Sequence, residues 1–216
     1  MSADPEPKGT PSQPHVPLLN IANILTMLRI ALVPVFVAAL IVDAEGPLSG
    51  ALQGDFHAED GLWRWIAAAI FIGAIITDKI DGDLARSRGL ITDFGKIADP
   101  IADKLLIGAG LVMLSLLSEL PWWVTVVILA RELGVTLLRM IVIRYGVIPA
   151  SRGGKLKTVL QSAGLILMLL PLGTFASWLP VVAFWIMIVA LVVTVVTGID
   201  YLISALRMRA AARGRQ

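Results

Sequence analysis

The sequence predicts an all-α integral membrane protein with six transmembrane helices and both termini in the cytoplasm. Of its 216 residues, 57% are hydrophobic and only 16% are charged, and the mean hydropathy is +0.83. Such a composition is too apolar for an ordinary soluble domain. Apolar runs of about 20 residues recur along the chain, which is the length needed to cross a hydrocarbon core about 30 Å thick.

The six helices follow from the apolar runs and the residues that separate them. Asn20 or Asn23 is placed to cap the first helix, Gly89 marks a turn, and Pro121 and Pro180 stand where helices begin. The expected helices are about 23–42, 62–87, 95–118, 121–146, 154–173 and 179–206. The expected regions are a proline-rich, disordered cytoplasmic tail (1–17), one six-helix domain (18–206) and a basic cytoplasmic tail (207–216).

Charge patterning predicts the orientation of these helices. The loop after the first helix is acidic, with Asp43, Glu45, Asp55, Glu59 and Asp60. Basic residues gather around the second and fourth connections and in the C-terminal tail, all on the opposite side of the membrane: Arg86, Arg88, Lys96, Arg144, Arg152, Lys155, Lys157, Arg207, Arg209, Arg213 and Arg215. Because Lys and Arg are retained on the cytoplasmic side, both termini are expected there. Tryptophans near the outer helix ends fit an aromatic belt: Trp63, Trp65, Trp122, Trp123 and Trp178.

Four aspartates carry the chemistry that the sequence predicts. Asp78 and Asp81 are spaced i, i+3, and Asp99 and Asp103 are spaced i, i+4, so each pair shares one helical face. A hairpin of the second and third helices is expected to bring the two pairs together near the cytoplasmic end. One alternative is that these acids cap helices or form ion pairs with Arg86, Arg88, Lys79 or Lys104.

An unpaired aspartate at the centre of a membrane helix costs about 2.5–3.5 kcal/mol, so these carboxylates need neutralising partners. With no basic cluster at helical spacing beside them, divalent cations are the natural candidates. An all-oxygen site suits Mg²⁺ or Mn²⁺. Two such ions per active site would clamp the oxygens of a phosphoryl displacement.

The residues around the aspartates extend the pattern. Gly82, Ala85 and Gly95 leave room for a bulky ligand, and Arg86 is placed to reach a phosphate. Asp78-x2-Asp81-Gly82-x2-Ala85-Arg86-x8-Gly95-x3-Asp99-x3-Asp103 resembles the complete signature of the CDP-alcohol phosphotransferase family.

This resemblance implies transfer of the phosphatidyl group of CDP-diacylglycerol to an alcohol. It implies that Asp78, Asp81 and Asp99 are chiefly metal ligands, and that Asp103 lies close to the metals and deprotonates the acceptor hydroxyl. It also implies a homodimer in a bacterial plasma membrane, with the active site on the cytoplasmic side.

Basic residues of the fourth and fifth helices are candidates for binding a charged acceptor: Arg131, Arg139, Lys155 and Lys157. Arg131 lies far enough inside a predicted span to need a partner. Glu132 follows it immediately and is expected not to share its face, so local neutralisation is not assured. Positive-inside anchoring is the alternative explanation for these basic residues.

A second resemblance narrows the acceptor. Asn20-Ile-Ala-Asn23-x2-Thr26-x2-Arg29, Ala130-Arg131-Glu132, Leu138-Arg139 and Gly154-Lys155-Leu-Lys157-Thr158 resemble the phosphatidylglycerophosphate synthase branch of the family, in its actinobacterial form. That branch implies sn-glycerol 3-phosphate as acceptor. On this interpretation Thr26 and Arg29 face the nucleotide or pyrophosphate of CDP-diacylglycerol. A capped helix start with an arginine that snorkels to lipid headgroups is the alternative.

Other functions stay open at this point. Within the family, the alternatives are a cardiolipin synthase that uses phosphatidylglycerol and a phosphatidylinositol phosphate synthase. From a different class, an ion-coupled transporter would also place acids inside the membrane. The chain has no cysteine, which excludes thiolate catalysis, and we expect membrane lipids but no nucleic acid among its partners.

Overall fold

The computed structural model of the chain describes residues 20–88, 92–142 and 152–213. Within these ranges, the side chains of residues 22, 81–88, 93–94, 96–97, 142, 152–153, 155 and 209–213 are outside the description. The predicted tail 1–17, the turn at Gly89 and Arg144 lie outside the described residues.

Helices make up almost all of the described chain. They are α1 (Ile21–Asp43), α2 (Leu62–Arg88), α3 (Asp93–Leu116), α4 (Trp122–Val142), α5 (Arg152–Leu169) and α6 (Leu179–Arg213). Two short strands, β1 (Ala44–Glu45) and β2 (His57–Ala58), and two 3₁₀ helices, Leu48–Gln53 and Leu172–Thr174, occupy the connections. The prediction of an all-α fold is therefore confirmed, and six α-helices lie within the described residues.

The helix ends differ from the predicted ones for local reasons. Asn20 caps α1, because its side chain accepts a hydrogen bond from the backbone N–H of Asn23 at 2.9 Å. The fifth helix ends at Leu169 rather than at 173, just before Pro171, which cannot continue a helical hydrogen-bond ladder. The sixth continues to Arg213, so the basic segment predicted as a tail is mostly helical.

The acidic loop between α1 and α2 is an ordered hairpin that the sequence prediction missed. β1 and β2 pair antiparallel, with Ala44 opposite Ala58. Gly46 adopts φ +88°, and a Cβ there would lie 1.9 Å from the carbonyl oxygen of Asp55. Only glycine therefore fits where the loop leaves β1.

The first helix forms the centre of the site-bearing half of the bundle. It packs extensively against both α2 and α3, whereas α2 and α3 touch each other only slightly. Among the described residues, α2 and α3 are therefore joined mainly through α1 rather than by direct contact with each other, as the expected hairpin would require. α1 lies between the two helices because its own buried polar residues bind to both.

The apolar core runs along the middle of the bundle. Phe36 of α1 and Phe71 of α2 have ring centroids 5.4 Å apart, and Leu111, Leu114 and Leu165 are fully buried beside them. This packing holds α1, α2, α3 and α5 in one register, so that polar residues near their ends meet at fixed positions.

A group of charged residues closes the end of the bundle next to the hairpin. We call Asp43, Arg64 and Glu119 the distal cluster. Arg64, which is 1% exposed, donates to Glu119 at 2.5 Å and to the carbonyl oxygens of Met168 and Leu169 at 2.9 Å each. Asp43 accepts from the N–H of Arg64 at 3.0 Å, at the start of α2. The cluster thus joins α2 to the C-terminal end of α5 and to the α3–α4 turn.

Two helices in the described residues are long and apolar enough to cross a membrane by length and composition, at Asn23–Asp43 and Leu179–Met208. A shorter apolar helix spans Leu156–Leu169. The apolar runs of α2, α3 and α4 are interrupted by charged residues such as Asp78, Asp103 and Arg131. Large apolar side chains are exposed along the helices, among them Val126, Met140 and Val196. Such a surface is typical of contact with lipid.

Candidate active site

The carboxylates of Asp78, Asp99 and Asp103, which we call the carboxylate centre, belong to two helices. Asp78 lies on α2 and its side chain is 44% exposed, and Asp99 and Asp103 lie on exposed positions of α3. Asp103 is within electrostatic range of Asp78 and Arg29. The structure therefore places Asp103 of α3 near Asp78 of α2, with Arg29 of α1 beside both.

Arg29 links α1 to the α2 side of the carboxylate centre. Its guanidinium is 1% exposed and approaches the carboxylate of Asp78 at 2.6 Å, and its Nε donates to the carbonyl oxygen of Ala74 at 3.3 Å. A charge-assisted contact of this length orients the carboxylate as well as neutralising it. Because Arg29 is buried against α2, it does not snorkel to headgroups as the alternative interpretation required.

Thr26 makes the corresponding link to α3. It is 1% exposed, and its hydroxyl donates a 2.5 Å hydrogen bond to Oδ1 of Asp99. Thr26 and Arg29 are one turn apart on α1, and each holds one aspartate. Their observed partners are thus the carboxylates themselves, whereas the sequence predicted contacts with the nucleotide or pyrophosphate.

The start of α3 is fixed against the start of α1. Thr92 caps α3 by accepting from the N–H of Gly95 at 3.0 Å, and it exchanges hydrogen bonds of 2.8 and 3.0 Å with the side-chain amide of Asn23. A Cβ on Gly95 would lie 2.9 Å from Oδ1 of Asn23. The space that the sequence interpretation reserved for a ligand at Gly95 is therefore filled by the side chain of Asn23.

A cavity of about 90 Å³ opens on the other side of Asp103, between α3, α4 and α5. Ile107, Leu129 and Leu133 form its apolar wall. Its polar lining consists of Asp103, Lys104, Glu132, Lys157, Thr158, Gln161 and Ser162. Lys157 forms an ion pair with Glu132 across the cavity. Of the predicted acceptor-binding residues with described side chains, Lys157 is the one that lines it.

Arg131 is directed away from this cavity and toward α6. Its Nε donates to the carbonyl oxygen of Thr194 at 2.8 Å, and its Nη2 donates to the hydroxyl of Thr197 at 2.9 Å. A Cβ on Gly198 would lie 3.0 Å from its side chain. The third guanidinium nitrogen reaches Glu132 at 3.3 Å, so Glu132 does neutralise Arg131 locally, which the sequence did not assure. Long side chains can meet although the two Cβ atoms diverge.

Arg139 also contacts α6. Its guanidinium lies 5.8 Å from the ring centroid of Tyr201, an arrangement that attracts a cation to an aromatic face. It does not line the cavity of Asp103 and Lys157. The predicted acceptor site is thus divided: Lys157 faces the carboxylate centre, whereas Arg131 and Arg139 hold α4 against α6.

Several predicted site residues cannot be placed at the level of side chains. The side chains of Asp81, Gly82, Ala85, Arg86 and Lys155 lie outside the described residues. The first four belong to the C-terminal part of α2, and Lys155 belongs to the first turn of α5. Their predicted roles stay predictions.

The residues present are chemically suited to a hard divalent cation. Asp78, Asp99 and Asp103 supply oxygen donors, and two of them are oriented by Arg29 and Thr26. Among the side chains that the structure describes, no three acidic or histidine residues come close enough to form a complete metal site. Asp81, three residues after Asp78 on α2, is the fourth predicted donor and is outside that description.

Sequence reasoning missed two polar residues of the cavity, Glu132 and Gln161. The sequence interpretation treated Glu132 only as a neighbour of Arg131. On α4, however, Glu132 lies on the same face as Leu129 and Leu133, which also line the cavity. The sequence contained a signal for Gln161, because this residue follows Lys157 by one helical turn and therefore shares its face.

Comparison with known proteins supplies the family. Residues 19–196 match the family model described as CDP-alcohol phosphatidyltransferase. The chain is 49% identical, over 96% of its length and 90% of the relative's, to a probable phosphatidylglycerophosphate synthase of Mycobacterium tuberculosis. It is 36% identical, over 85% of its length and 94% of the relative's, to a CDP-diacylglycerol–glycerol-3-phosphate 3-phosphatidyltransferase of Bacillus subtilis. A CMP-forming cardiolipin synthase of Oryza sativa is 35% identical over 61% of the chain and 38% of that relative.

Proposed function

Because the chain belongs to the CDP-alcohol phosphatidyltransferase family, a family of membrane-embedded enzymes, we propose that it transfers the phosphatidyl group of CDP-diacylglycerol to sn-glycerol 3-phosphate. The products are phosphatidylglycerophosphate and CMP. The observation that carries this proposal is the position of Asp103, whose carboxylate belongs both to the carboxylate centre and to the cavity of Lys157. One side chain thereby adjoins a donor site and an acceptor site.

The donor side is built from the aspartates. The family is generally dependent on a divalent metal. The residues that would hold such ions, Mg²⁺ or Mn²⁺ and two per site, are Asp78, Asp81, Asp99 and Asp103. Bound ions supply neutralisation of the phosphate charge during displacement. Arg29 and Thr26 keep Asp78 and Asp99 in position, and Gly82, Ala85 and Arg86 border the CDP-diacylglycerol.

The acceptor enters from the cytoplasm and occupies the cavity beside Asp103. Lys157, with Lys155, binds its phosphate, while Glu132 holds the Lys157 ammonium in place. A carboxylate of Asp103 accepts the proton of the primary hydroxyl. That oxygen bonds to the phosphorus of the diacylglycerol phosphate, the bond from this phosphorus to CMP breaks, and CMP leaves with the electron pair. Holding the two reactants next to each other in the reactive orientation supplies much of the rate enhancement over the uncatalysed reaction.

The proposed membrane arrangement follows the sequence prediction. All six helices span the bilayer, with both termini and the carboxylate centre at the cytoplasmic face of a bacterial plasma membrane. Charged residues of α2, α3 and α4 are then paired inside the bundle or open to water at that face. The functional unit is proposed to be a homodimer.

An acceptor screen tests the proposed substrate. Purified protein is incubated with CDP-diacylglycerol, Mg²⁺ and one candidate acceptor, and CMP release is measured. Glycerol 3-phosphate should support the fastest release and yield phosphatidylglycerophosphate. Release only with phosphatidylglycerol would instead assign a cardiolipin-forming activity, the second candidate, which the similarity to the Oryza sativa relative favours.

The role of Asp103 is tested by Asp103→Asn. The amide keeps the side-chain volume but cannot accept the proton, so we expect CMP release to fall at least about 100-fold. Asp55→Asn, an exposed change in the hairpin loop, is the matched control and should retain full activity. Normal release by Asp103→Asn would exclude this carboxylate as the base.

A further inference from the structure

The cavity beside Asp103 is lined by a buried side-chain amide that the proposed mechanism does not use. Gln161 of α5 lines the cavity and is 3% exposed. Its side-chain nitrogen, Nε2, is buried and has no hydrogen-bond partner in the part of the chain that the structure describes. Buried amide nitrogens are nearly always bonded, so an unpaired one at the wall of a cavity indicates a partner that enters the cavity.

The position of Gln161 defines that partner. It lies one turn after Lys157 on the same helix, and both side chains line the cavity that Asp103 closes on the α3 side. A molecule that places its phosphate on Lys157 and its reacting hydroxyl on Asp103 therefore lies against Gln161. Because Nε2 only donates hydrogen bonds, it requires an acceptor oxygen on that molecule.

We propose that Gln161 is an acceptor-specificity residue whose side-chain amide donates a hydrogen bond to the C2 hydroxyl oxygen of glycerol 3-phosphate. This proposal rests on the proposed function. The primary hydroxyl is taken by Asp103 and the phosphate by Lys157, which leaves the C2 hydroxyl as the oxygen between them. A cavity of about 90 Å³ accommodates a three-carbon polyol.

The specificity follows from the cost of an unpaired group. An acceptor without the C2 oxygen leaves Nε2 buried and unbonded, as it is in the empty cavity. An acceptor that has the C2 oxygen accepts a hydrogen bond from Nε2 of Gln161. Gln161 thereby distinguishes glycerol phosphate from a simple alkanol phosphate of the same length, which Asp103 and Lys157 alone cannot do.

The test compares two acceptors in two proteins. The acceptors are glycerol 3-phosphate and 3-hydroxypropyl phosphate, which lacks only the C2 hydroxyl. Gln161→Met keeps the length of the side chain and removes the donor. In the original protein, kcat/KM should be roughly 3- to 10-fold higher for glycerol 3-phosphate. In Gln161→Met this preference should disappear, mainly through a higher KM for glycerol 3-phosphate, with KM for CDP-diacylglycerol unchanged.

The matched control is Thr194→Val. The hydroxyl of Thr194 is also buried without a hydrogen-bond partner among the described residues, but it lies on α6 and does not line the cavity. This variant should keep the preference. Thermal unfolding of Gln161→Met should occur no earlier than that of the original protein, since an unpaired amide is replaced by an apolar group of similar size.

Two outcomes would overturn the proposal: an unchanged acceptor preference in Gln161→Met, or an equal loss of kcat/KM with both acceptors. Failure of the proposed function is distinguishable from either. In that case the original protein itself releases no CMP with glycerol 3-phosphate, whatever residue stands at position 161.

Discussion

Two charged clusters stand at opposite ends of the bundle, about 20 Å apart along α2 at 1.5 Å per residue. In the distal cluster, Arg64 is 1% exposed and is surrounded by a carboxylate and two backbone carbonyl oxygens. In the carboxylate centre, by contrast, the charged oxygens reach the surface, and Asp78 is 44% exposed although its partner Arg29 is buried. At the distal end the buried charge is the arginine and its partner Glu119 is partly exposed, whereas at the other end the carboxylates are the accessible groups.

The difference in exposure indicates that the distal cluster stabilises the fold, whereas the carboxylate centre is available to bind a ligand. In the distal cluster, the buried arginine is bonded to protein groups from three segments and so fixes the positions of helices. In the carboxylate centre, the buried members are the residues that hold the aspartates, Thr26 and Arg29, and the accessible members are the aspartates themselves. In a binding site, buried residues are expected to orient the accessible side chains that contact the ligand, and Thr26 and Arg29 stand in this relation to the aspartates.

The largest effect on stability is expected from Arg64→Met. This change leaves the partly exposed Glu119 and two carbonyl oxygens without their donor, and it should lower the free energy of unfolding by about 3 kcal/mol. Arg207→Met, an exposed change on α6, is the control and should leave unfolding unaltered. Unfolding in detergent is monitored by circular dichroism. If the folded fraction of Arg64→Met lost CMP release at unchanged stability, the contrast between the two clusters would fail.

An intermediate effect, on rate more than on stability, is expected from Thr26→Val. The valine cannot donate to Asp99, so the carboxylate loses an orienting bond and kcat should fall roughly 10-fold. Thr125→Val removes an equally buried hydroxyl whose partners are Ser115 and the carbonyl of Leu111, and it should leave kcat unchanged. Equal kcat values for the two variants would count against a holding role for Thr26.

The smallest expected effect is a change in folding stability with pH, caused by the titration of Glu119 in the distal cluster. Burial raises the pKa of Glu119 above its ordinary value of 4.5, although Arg64 opposes the rise. The folded protein therefore keeps this proton at a pH where the unfolded chain has released it. The resulting stabilisation is fully present below about pH 4.5 and is lost as the pH rises through the folded-state pKa.

Glu119→Gln cannot titrate at this position, and its stability should gain relative to that of the original protein as the pH rises through this window. Thermal unfolding at a series of pH values in detergent measures the difference. A difference that does not vary with pH would show that Glu119 stays ionised in the fold.

The sequence was sufficient for features that depend on neighbouring residues. Helix starts at Leu62 and Leu179 coincide with the predicted ones, because apolar runs and proline are local signals. The family signature likewise depends on spacing within α2 and α3, and the match to the family model confirms it.

Features that depend on distant residues could not be predicted. The hydrogen bond between Thr26 and Asp99 joins residues 73 positions apart, and the contacts of Arg131 with Thr194 and Thr197 join α4 to α6. Periodicity states which face of a helix is polar but not which other helix meets it. For that reason Arg131 was assigned to the acceptor, whereas the structure shows it bound to α6.

The position of α1 between α2 and α3 has a consequence for biogenesis. A ribosome delivers this helix to the membrane first, yet its partners come later: Ala74 follows Arg29 by 45 residues, and Asp99 follows Thr26 by 73. Until α2 is inserted and supplies Asp78 and the carbonyl oxygen of Ala74, the nascent protein must keep Arg29 without these two partners. An arginine in a membrane helix costs up to about 2.5–3.5 kcal/mol, the value at the helix centre. Truncated chains that end before Ala74 and Asp78 should therefore be recognisable to membrane quality control, because they contain Arg29 but not these partners.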